Sequence, residues 1–125
     1  MSKITKATAN PTQTSNYLQE ALAAYDSLGK AISLLQARAY GFAGLAETNI
    51  INAEIPQLQA EQLKVRAEML AFLNQGIEIE PPTDADYASV KTLSENLDAM
   101  NANSNQATEI LKAATGILSA WNNTH

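Results

Sequence analysis

The sequence predicts an all-α protein: a long-helix, up-down-up three-helix bundle with coiled-coil-like heptad seams. Apolar residues recur at alternating intervals of three and four over most of the chain, which is typical of helices packed along a seam. Only 5 Gly and 4 Pro interrupt 125 residues, so few breaks are expected. A chain of this length forms one hydrophobic core by default.

The N-terminal region is predicted to be a flexible arm. Residues 1–14 are rich in Ser, Thr and Asn and lack the apolar spacing that follows. Ser15 or Asn16 is the predicted N-cap, because a short side-chain oxygen can accept a bond from a first-turn amide. The predicted boundary therefore separates an arm, residues 1–14, from a single helical domain, residues 15–125.

The first helix is predicted to continue to about Asn52. The three-four spacing runs from Leu18 to Ala46. Glycine weakens a helix by about 1 kcal/mol, but the three-four spacing continues through Gly29, Gly41 and Gly44. Pro56 has no amide hydrogen and fits the first turn of a new helix better than a helix interior. Two arrangements stay open, a turn at Pro56 or one long helix kinked there.

The second helix is predicted from Pro56 to about Gln75, where Gly76 provides a stop. Its predicted buried residues are apolar and spaced around the helix: Leu58, Leu63, Met69, Leu70, Phe72 and Leu73. Residues 77–82 alternate apolar and acidic side chains before two prolines, which predicts a short extended segment between the second and third helices.

The third helix is predicted to be continuous from Asp84 to Asn122, with Thr83 or Asp84 as its cap. The polar run of residues 101–106 has the composition of a loop. Met100 and Ala107 are nevertheless seven residues apart and in phase, and a loop usually shifts the register. The spacing therefore favours one uninterrupted helix.

The composition excludes several classes of function. A net charge of -5 and scattered basic residues disfavour nucleic-acid binding, which requires Lys and Arg to neutralise phosphates. Without cysteine there is no disulfide framework and no thiolate metal site. No window approaches the roughly 20 apolar residues that span a bilayer. We expect a cytoplasmic protein, and a leaderless route of secretion stays open.

No residue pattern indicates catalysis, a cofactor, a metal or a small-molecule substrate. His125, the single histidine, is the last residue, where a base would not be held in place. Asp84 and Asp86 complement the positive end of a helix dipole. Acidic residues spaced seven apart are interpreted as a solvated face with local pairing, not as a cation site: Glu47, Glu54, Glu61 and Glu68. We therefore expect a protein that is not an enzyme.

Two stretches are predicted to make close helix contacts, either within the bundle or with other chains. Residues 39–46 combine aromatic and small side chains, which let another helix approach closely. The end of the third helix has a broad apolar face that needs two neighbours, of which one can be a second copy. The predicted interaction residues are Tyr40, Phe42, Leu45, Ile110, Leu111, Ile117, Leu118 and Trp121.

The sequence thus predicts a non-catalytic structural or interaction protein that acts by helix–helix packing. Few charges and many alanines favour self-assembly into a homo-oligomer or larger assembly, or association with partner helices. Two alternatives are kept. One is an amphipathic helical protein that coats or inserts into lipid, as a granule coat or small pore-former does, although the polar faces are neutral or acidic. The other is a leaderless secretion-related helical protein.

Overall fold

The computed structural model describes residues 3–122 and is all-helical, which confirms the predicted class. The described part contains four helices: α1 (Pro11–Gly41), α2 (Leu45–Gln75), α3 (Asp84–Asp98) and α4 (Ala107–Asn122). The predicted count of three helices is wrong. The first break lies at residues 42–44 and not at Pro56, and the break at residues 99–106 was not predicted. His125 lies outside the described residues.

The break between the first two helices falls at residues 42–44 and not at Pro56. At the end of α1, the amides of Phe42 and Ala43 both donate to the carbonyl oxygen of Arg38, at 2.8 Å each. Gly44 has an extended backbone at the start of α2 and accepts the first helical bond, from Thr48. Gly41 and Gly44 therefore allow the helix to end here, although the apolar spacing continues across them.

Pro56 lies in the interior of α2, so neither a turn nor a new helix begins there. A proline costs a helix one amide hydrogen bond and introduces a steric conflict with the preceding turn. Its ring lies on the exposed side of α2, away from the core. The cost is therefore local, and packing of the opposite side of α2 maintains the helix.

The predicted third helix is divided into α3 and α4 by residues 99–106. In this loop the Asn101 side chain accepts a hydrogen bond from the Ser104 amide at 2.9 Å. The Asn105 side chain in turn accepts one from the Asn101 amide at 3.0 Å. Asn side chains that bond nearby backbone groups compete with helix formation, which explains why the continuous register did not maintain a helix here.

The N-terminus of α1 lies earlier than predicted. Asn10 caps the helix, with Pro11 as its first residue, and neither Ser15 nor Asn16 has that role. The side chain of Asn10 accepts from the Gln13 amide at 2.8 Å, and the Gln13 side chain accepts from the Asn10 amide at 3.0 Å. This reciprocal pair is a capping box.

The C-terminus of α2 and the N-terminus of α3 were predicted correctly. Gly76 ends α2 with a left-handed backbone at φ 67°, which glycine adopts without strain. Thr83 caps α3 by accepting from the Asp86 amide at 3.1 Å. Between them, Ile79 exchanges two backbone hydrogen bonds with Ile4, at 2.7 and 2.8 Å, which attaches the N-terminal segment to the bundle.

The helices alternate in direction, and α1 lies at the centre. Residues near the start of α1 meet the end of α2 and the end of α4, since the Tyr17 ring lies 4.7 Å from that of Phe72 and 5.6 Å from that of Trp121. Helix α3 runs parallel to α1, because Gln19 bonds Tyr87 and Ser27 bonds Ser94. Helix α1 thus packs against the other three.

Helix α2 is peripheral. It packs along α1, touches α4 slightly, and within the described residues makes no contact with α3. Its buried residues form a single stripe spaced seven apart: Ile51, Leu58, Val65 and Phe72. Most of the circumference of α2 therefore faces away from the core.

Candidate interaction surface on the α1–α2 hairpin

Exposed large apolar side chains occur on only one part of the described structure. All of those within residues 3–122 belong to α1, α2 or the turn between them: Leu22, Tyr40, Phe42, Leu45, Ile50, Leu63 and Leu70. Helices α3 and α4 bury or half-bury theirs. A cluster of exposed apolar groups marks a contact surface more often than scattered ones do. The α1–α2 hairpin is therefore the candidate functional element.

The first part of this surface is the tip of the hairpin, residues 39–46. Tyr40 is 96% exposed, Leu45 80% and Phe42 55%. No side chain in residues 39–46 carries a charge. The tip thus presents three large apolar groups in a small, uncharged region.

The base of the tip is held by the side chains of Arg38 and Glu47. They form an ion pair and lie mostly out of solvent, with side-chain exposures of 11% and 22%. The Arg38 guanidinium also donates to the carbonyl of Ala102 at 3.1 Å, and the Glu47 carboxylate accepts from the amide of Ala107 at 3.3 Å. The pair therefore fixes the turn against the α3–α4 loop.

Electrostatics at this base favour the charged form of Glu47. The hydrogen bond from Arg38 holds the pKa of Glu47 below its ordinary value, and the bond from the Ala107 amide adds to that effect. Because the two charges neutralise each other, the tip beyond them stays electrically neutral. The Glu47 carboxylate also serves the first turn of α4, where an anion is stabilised by unpaired amides.

The second part of the surface is the outer face of α2, defined here as Ala46, Ala53, Pro56, Ala60, Leu63, Ala67 and Leu70. All seven are exposed, with Leu63 at 61% and Leu70 at 40%. The prediction that these two leucines are buried is wrong. They lie opposite the stripe that packs on α1, so α2 has apolar residues on two faces.

The predicted contact residues of the last helix lie elsewhere. Ile110, Ile117 and Trp121 are buried in the core of the monomer, and Leu111 and Leu118 are half-buried. Their two neighbours come from the same chain, since Trp121 stacks near Tyr17 and α4 also packs on α3. In this structure they contribute to folding and present little surface to a partner.

A buried acidic side chain lies at the opposite end of the bundle from the tip. Glu20 has no exposed surface, and its two carboxylate oxygens have no hydrogen-bond partner among the described residues. Burial, and secondly the charge of Asp86, raises the pKa of Glu20 to about 7. A pKa near neutrality suits acid–base catalysis, but a fully enclosed carboxyl cannot reach a substrate.

An open groove of about 670 Å³ lies between α3 and α4, lined chiefly by Leu93, Met100 and Ala113. Glu109 and Lys112 are the charged residues at its edge. A groove of this size is large enough for a small ligand, and Asn96, Thr115 and Ser119 are the further polar side chains in its lining. Within residues 3–122, no three His, Asp or Glu side chains are grouped so that they could hold a metal ion.

The chain matches no protein-family model, and no curated protein or solved structure is significantly similar to it. Among the helices of the described part, none has the length and apolar character needed to cross a membrane. Fold and surface together define an all-helical bundle with an exposed apolar hairpin.

Proposed function

We propose that this chain is a non-catalytic interaction protein that self-associates through the exposed apolar residues of its α1–α2 hairpin. One observation carries the proposal: within residues 3–122 the exposed large apolar side chains are confined to this hairpin, and five of the seven lie on the tip or on the outer face of α2. A second copy that covered them would remove apolar surface from water, which is the main favourable term in most protein association.

The expected gain is sufficient for reversible assembly. Fully burying a large apolar side chain contributes about 1.5–3 kcal/mol. Tyr40, Leu45 and Leu63 are each more than half exposed and so retain most of that gain for a partner. Association also costs lost rigid-body freedom and ordered side chains. We therefore expect an equilibrium between monomers and oligomers that depends on concentration.

Light scattering on a size-exclusion column tests this proposal. The wild-type chain is compared over a concentration series with a variant that carries Tyr40→Ser, Leu45→Ser, Leu63→Gln and Leu70→Gln. We expect the wild type to exceed the monomer mass of 13.4 kDa as concentration rises, and the variant to stay at it. Leu22→Gln, which removes an exposed leucine outside the tip and the outer face, is the matched control. Equal masses for wild type and variant would overturn the proposal.

A lipid surface is the second candidate partner, and the tip favours it. Residues 39–46 carry no charge, and the amides of Phe42 and Ala43 already donate to the Arg38 carbonyl, which reduces the cost of moving this turn out of water. Insertion of three apolar side chains would stabilise the bound state by about 5 kcal/mol, similar to the marginal binding of one myristoyl chain.

Flotation with phosphatidylcholine vesicles separates the two candidates. Lipid binding predicts that the wild type floats with uncharged vesicles, independently of salt, and that Tyr40→Ser with Leu45→Ser abolishes flotation. Self-association alone predicts that the protein stays at the bottom of the gradient at every salt concentration.

A further inference from the structure

We propose that α2 pairs with α2 of a second copy in an antiparallel, two-fold symmetric arrangement whose axis crosses the helix between Glu61 and Gln62. This pairing depends on the proposed self-association. It adds that the outer face of α2 contacts the same face of a second copy, and it specifies their register.

The outer face has the spacing of a helix-packing seam. Ala46, Ala53, Ala60 and Ala67 recur every seven residues, and Pro56, Leu63 and Leu70 recur every seven residues between them. All are exposed, so this seam has no partner within the described chain. A heptad spacing of this kind matches the periodicity of a second α-helix and not that of a strand or an irregular segment.

The sizes of the side chains indicate that the partner helix is α2 of a second copy. With the axis between Glu61 and Gln62, Leu63 lies opposite Ala60 of the second copy. The same symmetry brings Leu70 opposite Ala53, and Pro56 opposite Ala67. Every large residue of one face then meets a small residue of the other, which lets two helices interdigitate closely. The face is therefore complementary to itself.

The positions of the charged side chains favour this register over the next possible register. In an antiparallel pair each flank of the seam meets the same flank of the second copy, so Lys64 lies beside Gln57 of the second copy and Arg66 lies beside Gln59. Moving the axis one half-heptad toward the C-terminus would bring Lys64 beside Lys64 of the second copy and Arg66 beside its own copy, and like charges at such a seam are destabilising. Moving it the same distance toward the N-terminus would place Pro56 and Ala60 at the centre and both leucines away from it.

A parallel, in-register pair is also less favourable. It would place Leu63 against Leu63 and Ala60 against Ala60, so wide and narrow layers would alternate along the seam. It would also align two helix dipoles in the same direction. The antiparallel pair avoids both costs.

The area of the seam predicts weak association. From Ala53 to Leu70 the helix extends about 26 Å, and a strip about 10 Å wide covers about 260 Å² on each copy. Stable complexes bury about 800 Å² on each partner. The pair is therefore a concentration-dependent contact within the assembly, and a covalent trap is the appropriate way to observe it.

Disulfide trapping tests the register. Because the sequence contains no native cysteine, only the introduced cysteines can form the cross-link. Ala60→Cys is prepared with ¹⁵N label and Leu63→Cys without label, the two are mixed at high concentration, and cross-linked dimers are identified by mass after mild oxidation. Random encounters give the mixed dimer and the two pure dimers in a ratio of about 2:1:1, so we expect the mixed dimer to exceed that proportion several-fold. Thr108→Cys, on the exposed side of α4, mixed with Ala60→Cys is the control for random encounters.

Other outcomes overturn the register. Excess pure dimers indicate a parallel pair, and preferred cross-linking of Leu63→Cys with Ala67→Cys or with Ala53→Cys indicates a shifted axis. If the wild type forms oligomers while these variants cross-link no faster than the control, self-association uses the tip and the α2 pairing is wrong. If the wild type stays monomeric as well, both proposals fail together.

Discussion

Arg38 and Glu47 form an ion pair across the turn that joins α1 to α2, and each side chain also binds a backbone group at the α3–α4 connection. The pair therefore links α1, α2, the α3–α4 loop and the start of α4 at one end of the bundle. It lies directly beneath the uncharged tip, so that the exposed Tyr40 and Leu45 project from a fixed base.

Replacing Glu47 with Gln should destabilise the bundle and change its behaviour in acid. The pKa of Glu47 is lowered in the folded state, so the charged carboxylate contributes stability above its unfolded pKa of about 4.5, and that contribution is lost as pH falls through the folded pKa. Thermal unfolding should give a lower midpoint for Glu47→Gln at pH 7, with the difference from wild type shrinking in acid. Glu95→Gln, on the exposed face of α3, is the control; an equal shift there would contradict the role assigned to Glu47.

Replacing Glu20 with Gln should have the opposite dependence on pH. Burial raises the pKa of Glu20 from 4.5 to about 7, so protonated Glu20 stabilises the fold below pH 4.5 and this contribution is lost as pH rises through about 7. Glutamine resembles the protonated carboxyl at every pH. In urea unfolding at pH 8, Glu20→Gln should be more stable than wild type by up to about 3 kcal/mol, and near pH 4.5 the two should be similar.

A stability difference for Glu20→Gln that does not change between pH 4.5 and pH 8 would contradict this account. Glu109→Gln, on the exposed side of α4, is the matched control and should show no comparable change. The comparison separates burial of one carboxyl from the general effect of reducing the negative charge of the chain.

Replacing Pro56 with Ala should stabilise α2. The ring is exposed and the residue lies in the helix interior, so the substitution restores an amide donor without removing core packing. Proline costs about 3 kcal/mol in a helix interior relative to Ala, and part of that cost is already relieved in the native helix. We expect a gain of about 1–3 kcal/mol in urea unfolding at low protein concentration. A loss of stability would mean that Pro56 does not lie in a regular helix.

The sequence predicted which residues are helical better than where the helices turn. The stop at Gly76 and the cap at Thr83 were recognisable because each has a local chemical cause, a left-handed backbone and a side-chain acceptor. The turn at residues 42–44 and the loop at residues 99–106 were missed because the apolar phase is preserved across both. Hydrogen bonds of the Asn101 and Asn105 side chains stabilise the loop at residues 99–106, and the spacing of apolar residues does not reveal such bonds.

The candidate surface was predicted in part. Residues 39–46 were predicted to make close helix contacts from their small and aromatic composition. In the structure Tyr40, Phe42 and Leu45 are exposed there, and the expected continuous helix is replaced by a turn. The outer face of α2 was missed because spacing alone cannot show which of two apolar stripes packs on the core. The alanines at every seventh position from Ala46 to Ala67 were the available signal. Ile110 and Trp121 are buried because α4 has neighbours on both sides within its own chain.

Sedimentation equilibrium of the wild-type chain over a hundredfold range of concentration tests the central claim most directly. Self-association through the hairpin predicts an average mass that begins near 13.4 kDa and rises with concentration. A mass of 13.4 kDa at every concentration would contradict the account, because the exposed apolar residues of the tip and of α2 would then have no second copy as their partner.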